Sequence, residues 1–258
     1  MHIHKLLDLT KKVILVTGGS GNYGRNIVEG LAEAGATVIT TSRDLSRAAS
    51  TAATFRASGY AVFALAVDQS DATSIKELKE KILTDFGRLD VFVNNAVSRP
   101  MTGYSAPVDQ FEKSMQVNAS GMFHLLREMT DLIVNAGGGS VINIASMMGV
   151  RGPDLSNYEG TSMGNPPPDY FFHNAGLINL SRYMAKVMAG KNIRFNCISP
   201  GGLFNNQPAR FVENYCKKVP LGRMANADDI KGLVVLLSSD AGAYINGENI
   251  LLDGGMHA

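Results

Sequence analysis

Cysteine is scarce in this chain of 258 residues: Cys197 and Cys216 are the only two, and neither has a second cysteine or histidine at metal-ligand spacing. That excludes a stapling disulfide framework and a thiolate metal site, leaving two reduced thiols of a cytoplasmic protein as the expectation. Charge imbalance is also missing. A formal net charge of +1 without long runs of like sign removes the general attraction to nucleic acid or to an anionic membrane surface, so neither partner is expected. Nowhere do the ~18 uninterrupted apolar residues of a membrane span occur, and the opening Met1-His-Ile-His-Lys lacks the apolar stretch of a signal peptide. His2 and His4 fall on a frayed, solvated terminus rather than a metal site. Repeats and low-complexity linkers are absent as well.

What is present is a regular alternation. With 45% hydrophobic residues, the length suits one domain spanning 1–258. Short β-branched runs at Val13–Thr17, Thr37–Thr41, Ala61–Val67, Val91–Asn94, Ser140–Ala145, Ile193–Ile198 and Asn249–Leu252 predict strands covered on both faces. Between them, apolar spacing near three and four predicts helices over Asn26–Ala34, Leu45–Ala57, Ser74–Phe86, Gln110–Asn135, Phe171–Ala189 and Asp228–Leu237. The fold class is therefore α/β, a single Rossmann-type doubly wound domain with a seven-stranded parallel sheet. Two stretches break the pattern: Gly149–Pro168, rich in Gly, Pro, Asn and Ser, and Gly201–Pro208, which opens a second irregular region over about 201–220. Long connections in such a fold are functional loops over the carboxyl ends of strands.

After the first strand comes Thr17-Gly-Gly-Ser-Gly-Asn-Tyr-Gly24. Glycines there permit a tight turn and let backbone N–H groups approach a diphosphate at the positive end of the following helix. The strand before, the helix after and a second strand beyond make it a dinucleotide site.

The turn resembles that of the short-chain dehydrogenase/reductase family, Thr-Gly-x-x-x-Gly-x-Gly. Similarity continues through Asp68, Asn94-Asn-Ala96, Asn118, Ser146, Tyr170, Ser199-Pro-Gly201 and Asp253-Gly-Gly. Asn22 stands where the middle glycine belongs, a substitution expected to survive because Asn tolerates unusual backbone angles. The resemblance implies a cofactor site built from Gly18, Ser20, Asn22, Tyr23, Gly24, Ser42, Arg43, Asp68, Gln69, Asn94, Ala96, Asn174, Pro200 and Gly201. Asp68 would bind the adenine edge and Asn94 would support the adenosine half. The residue after the second strand separates the two cofactor forms, because a carboxylate there holds the ribose hydroxyls and repels a 2′-phosphate. Here Ser42-Arg43 stands in its place, and the planar guanidinium favours NADP over NAD; Arg43 as a solvated surface charge with NAD accepted is the alternative.

Hydride exchange with an alcohol or ketone needs a proton donor or acceptor at the substrate oxygen and donors that polarise it. By resemblance, Tyr170 is the acid/base, Ser146 bonds the substrate oxygen and Asn118 anchors a proton-relay water. The family's lysine, four residues after the tyrosine, holds the nicotinamide ribose; here Asn174 occupies it, in Tyr170-Phe-Phe-His-Asn174. A lysine ammonium about 5 Å from a phenol, at an effective dielectric near 20, favours the phenolate by roughly 3 kcal/mol, which Asn174 cannot supply. Two outcomes stay open: an oxidoreductase of reduced activity, or a protein that binds dinucleotide and transfers hydride poorly. Tyr158 is the rival acid/base, at the more usual family distance from Ser146, but Glu-Gly-Thr-Ser follows it without a lysine or a helical pattern. His173 cannot replace the lysine, since adjacent helix positions point about 100° apart; it faces the substrate or is simply packed.

The enlarged loop resembles a gluconate 5-dehydrogenase-like, sugar-modifying branch of the family, in Gly152-Pro-Asp, Tyr158-Glu-Gly-Thr and Pro167-Pro-Asp-Tyr. That branch implies a small sugar-like substrate, a sugar, sugar acid or polyol, at a mouth carrying Arg99, Arg151, Asn157, Asn205, Asn206 and Gln207. Methionines at 115, 122, 184 and 188 with Phe123 read as core packing. The resemblance also implies a homodimer or homotetramer.

Overall fold

The computed structural model describes residues 1–258. Its helices are α1 (Ile3–Leu6), α2 (Asn22–Glu33), α3 (Leu45–Ala57), α4 (Ala72–Phe86), α5 (Val108–Met115), α6 (Met122–Asn135), α7 (Pro168–Val187), α8 (Ala209–Cys216) and α9 (Lys231–Ser238). The strands are β1 (Val13–Thr17), β2 (Thr37–Ser42), β3 (Val62–Ala66), β4 (Val91–Asn94), β5 (Gly139–Ile144), β6 (Ile193–Pro200) and β7 (Asn249–Leu252). They form one parallel sheet in the order β3-β2-β1-β4-β5-β6-β7, so all seven expected strands lie in it. The order reverses between β1 and β4, which opens a crevice at their carboxyl ends.

Alternation along each strand feeds two cores. Val13 and Leu15 join Phe92, Val141 and Phe195 on the face covered by α4, α6 and α7. Ile14 and Val16 join Val91, Val93 and Ile142 on the face covered by α2, α3 and α9. Because both faces of the central strands are dry, their sequences are mostly apolar, and polar exceptions such as Asn94 and Asn143 are hydrogen-bonded to each other within the sheet. A third, smaller cluster stands apart: Met147, Phe211, Tyr215, Val219 and Met224, with Met148, Tyr158 and Met163 packed on it. It joins the two irregular regions predicted from composition.

Two expectations are corrected. The helix predicted over Gln110–Asn135 is three pieces, α5, a π-helical stretch at Gln116–Gly121, and α6. A Cβ on Gly121 would lie 1.9 Å from the Gln69 carbonyl oxygen, so the helix wall is pressed against the segment after β3 and widens locally there. The stretch 201–220 is not wholly irregular, since it contains α8, whose Phe211 and Tyr215 bury themselves in the third cluster. His2 caps the short α1 by accepting from the His4 N–H at 3.4 Å.

Candidate active site

The crevice is a cleft of about 760 Å³ running from the glycine-rich turn to the third cluster. At one end, Gly18 adopts a left-handed φ of +66°, and a Cβ on Gly24 would lie 2.2 Å from the Gly18 carbonyl oxygen. Asn22 does not need the tolerance expected of it: φ is positive in this turn only at Gly18, and Asn22 is the first residue of α2. No acidic residue or side-chain cap occupies the first turn of α2, so the N–H groups of Asn22, Tyr23 and Gly24 lack partners within the helix and meet the crevice with the positive end of its dipole. Asn95 fastens this turn to β4, its amide donating to the Thr17 and Gly18 carbonyls at 2.9 and 3.1 Å. Thr17 Oγ1 in turn accepts from the Asn95 and Ala96 N–H groups.

Farther along, Ser20, Ser42, Arg43 and Arg47 line the cleft beside Asp68 and Gln69. Asp68 accepts from the Ser70 N–H and hydroxyl; these bonds, with the charge of Arg43 adding, hold its carboxyl below the usual range. Gln69 is buried with neither amide atom partnered, and the Thr41 hydroxyl is buried and unpartnered too. Unpaired buried polar atoms beside two guanidinium groups without carboxylate partners fit a bound polyanion with hydrogen-bonding edges, such as a dinucleotide. When bound, an NAD(P) cofactor supplies the hydride chemistry.

Asn94 lines the cleft with its side-chain oxygen buried and unpartnered. Its amide donates to Asn143 at 3.0 Å within the sheet, and Asn143 donates on to Ser181. Asn95, overlooked in the sequence, makes the contacts that shape the turn; its only signal was adjacency to Asn94. Arg47 was overlooked too, because its relevance depends on how α3 packs beside the turn. Tyr23 lines the cleft with its hydroxyl buried and unpartnered, and burial, reinforced by the Asp229 carboxylate, pushes its phenol well above the ordinary range. Pro200 and Gly201 close the floor at the end of β6; a Cβ on Gly201 would meet the Tyr215 hydroxyl at 3.0 Å.

The four residues at the expected catalytic positions converge on the same cleft. Ser146, just past β5, is buried and accepts the Met148 N–H at 3.2 Å. Asn118, inside the π-helical stretch, clamps the loop after β4: it accepts the Ser98 N–H at 2.8 Å and donates to the Ser98 carbonyl at 2.7 Å. Tyr170 sits in the first turn of α7, and the Arg99 guanidinium donates to its hydroxyl at 3.3 Å. Asn174, one turn on and 2% exposed, spends its amide nitrogen on the Tyr170 carbonyl at 2.7 Å. His173 is packed edge-on against the Tyr170 ring, with centroids 5.3 Å apart. Burial pushes its imidazole down to about 4, so it is neutral near pH 7. Tyr158 lies in the same cleft but packs on Phe211, with centroids 5.2 Å apart.

Of the polar residues expected at the mouth, Arg99, Asn205 and Gln207 line the cleft, although the Gln207 amide is occupied by Asn205 and Leu203 of its own loop. Arg151, Asn157 and Asn206 do not line it. Arg151 turns to the Met256 carbonyl. Asn157 is buried and accepts from Lys218 at 2.9 Å, and Asn206 faces solvent in a left-handed turn with φ +55°.

Residues 21–257 match the model of a family described as enoyl-(acyl carrier protein) reductase. The chain is 32% identical to a rhamnolipid-biosynthesis 3-oxoacyl-(acyl-carrier-protein) reductase of Pseudomonas aeruginosa, over 99% of this chain and all of that one. It is 31% identical to a 3-oxoacyl-(acyl-carrier-protein) reductase of Escherichia coli, over 97% of this chain and 99% of that one. Among solved structures, a Burkholderia cenocepacia gluconate 5-dehydrogenase in complex with NADP and tartrate superposes with a TM-score of 0.87 at 25% identity, covering 99% of this chain and 98% of that one. The RhlG–NADP active-site complex of Pseudomonas aeruginosa gives 0.84 at 31% identity, covering 99% and 100%. With a dinucleotide cleft at the topological switch point and these matches along nearly its whole length, the chain belongs to the short-chain dehydrogenase/reductase family of NAD(P)-dependent oxidoreductases.

Proposed function

We propose that the protein is an NADP-preferring oxidoreductase that interconverts a secondary alcohol and a ketone on a sugar, sugar acid or polyol, with Tyr170 as acid/base, Ser146 bonding the substrate oxygen and Asn118 holding the loop that completes the site. The observation that carries this reading is the placement of Ser146, Tyr170 and the glycine-rich turn on one cleft whose far end presents Arg43 and Arg47 beside Ser20 and Ser42. Asn205 at the mouth suits a hydroxylated substrate, and the relative solved with tartrate supports that chemistry. Phe123 on α6, expected in the core, is instead exposed, as are Tyr183 and Val187 on α7, and these apolar side chains favour the homo-oligomer that belongs to the same reading.

Two further readings each have an observation behind them. The wall formed by Met147, Met148, Tyr158, Met163, Phe211 and Met224 is apolar and suits an acyl chain, as the names of the curated relatives suggest. The engagement of Asn174 with the Tyr170 carbonyl, in place of a cation, favours a dinucleotide binder that turns over slowly. One assay separates them: parent and Asn174→Lys proteins with NADPH or NADH, against sugar acids, polyols and 3-oxoacyl thioesters, followed at the nicotinamide absorbance. Turnover of sugar acids at ordinary enzyme rates supports the main reading. Activity confined to thioesters supports the acyl reading, and activity confined to the lysine variant supports slow turnover.

A further inference from the structure

Proton transfer at Tyr170 is favoured by a positive charge beside the phenol, and α7 places no cationic side chain in the cleft. Asn174 is neutral and its amide nitrogen is committed. No lysine lines the cleft; its cations are Arg43, Arg47 and Arg99. Arg43 and Arg47 lie at the end of β2 and in α3, beside the glycine-rich turn. Arg99 alone reaches the phenol, with Nη2 3.3 Å from the hydroxyl and the guanidinium carbon 4.8 Å from the ring centroid. It has no carboxylate partner, and its backbone is fixed because Asn118 holds the preceding Ser98 by both N–H and carbonyl. The other titratable groups near Tyr170 are His173, neutral through burial, Asp169 beside it in the chain, and Tyr23 across the cleft. None of these brings positive charge.

We infer that Arg99 supplies, from the loop after β4, the cation that stabilises the Tyr170 phenolate during turnover, in place of the charge missing at Asn174. This rests on the assignment of Tyr170 as acid/base. In the oxidative direction the alcohol O–H proton passes to the phenolate oxygen, the C–H hydride leaves with both bonding electrons for the nicotinamide ring, and the C–O bond becomes a carbonyl. The neutral phenol then returns its proton to solvent. Arg99 neither gains nor loses a proton, because a guanidinium stays charged throughout.

The test compares the parent with Arg99→Gln, Arg99→Lys and Arg99→Ala, using Tyr170→Phe as reference. Loss of an opposite charge at this range should slow a step that builds phenolate charge by about tenfold to a hundredfold. Arg99→Gln should therefore lose about that factor in kcat with every substrate, its pH–rate profile moving to higher pH, while KM and NADPH affinity stay within about threefold. Arg99→Lys should keep most of the rate, and added guanidinium ion should restore part of it to Arg99→Ala. In the cofactor-free protein, the phenolate absorbance of Tyr170, isolated by subtracting Tyr170→Phe, should appear at higher pH in Arg99→Gln than in the parent. An unchanged kcat, a rise in KM confined to acidic substrates, or loss of NADPH binding would each overturn the assignment. If the parent binds NADPH but turns over nothing, the redox reading fails instead, and the phenolate titration alone decides the part played by Arg99.

Discussion

Lys218 is the residue whose removal most directly tests how the substrate side of the cleft is held. Its ammonium donates to Asp154 at 2.8 Å, to the buried Asn157 side chain at 2.9 Å, and to the Ser156 hydroxyl. It thus ties the turn that carries Tyr158 to the segment following α8. The Lys218 ammonium first, then the Ser156 hydroxyl and N–H, hold the Asp154 carboxyl down to about 2 from its ordinary 3.8. At face value a shift of that size amounts to about 2 kcal/mol. The two side chains are 31% and 30% exposed, so solvent screening reduces it to about 1 kcal/mol. A carboxylate whose acidity rises on folding stabilises the native state above its unfolded value and loses that contribution as pH falls through its folded value. Lys218→Met should therefore unfold about 2–4 °C below the parent at pH 7, and the gap should narrow to about half by pH 3. Its KM for substrate should rise while NADPH affinity holds, because the glycine-rich turn is untouched. Thermal melts and cofactor fluorescence titrations read both effects. An identical melting temperature at pH 7, or a deficit independent of pH, would refute the argument.

Gly24→Ala places a Cβ 2.2 Å from the Gly18 carbonyl; the overpacking, about 1–3 kcal/mol, should weaken dinucleotide binding tenfold or more in a fluorescence titration. Arg43→Ala should weaken NADPH by about tenfold and leave NADH nearly unchanged, as expected for loss of one charge-assisted contact to a phosphate. His173, held at about 4 by burial, binds a proton less readily in the folded than in the unfolded chain. Stability should therefore fall as pH drops from about 6.5 to about 4, by at most about 3 kcal/mol, and His173→Gln should flatten that part of the urea-unfolding profile.

Every strand was legible in the sequence as a short, largely apolar run, although the expected cover on both faces holds only for the inner strands: the edge strands β3 and β7 leave Phe63 and Leu251 exposed. The glycine-rich turn was legible too, although the argument for Asn22 was unnecessary: the backbone stays ordinary there, and the left-handed φ falls on Gly18, which adopts it freely. What the sequence hid depended on contacts between distant segments. Helical periodicity runs unbroken through Gln116–Gly121, and only the approach of the Gln69 carbonyl to Gly121 widens the turn. Eight residues at Ala209–Cys216 carry too little periodicity to stand out among Gly, Asn and Pro, yet Phe211 and Tyr215 find a core there. Arg99 read as one polar loop residue among six, since nothing in its neighbours announces that it will lie over the ring of Tyr170, 71 positions away.

The third cluster is small, with five buried members, and shares none of them with the two cores that sandwich the sheet. Local opening of that lobe should cost far less than unfolding the sheet, so amides over 154–163 and α8 should exchange with solvent well before those of β1, β4 and β5. The same separation makes the wall interchangeable: new side chains at Met163, Phe211 or Met224 can redraw the shape of what enters without disturbing the turn, the phenol or the strands beneath.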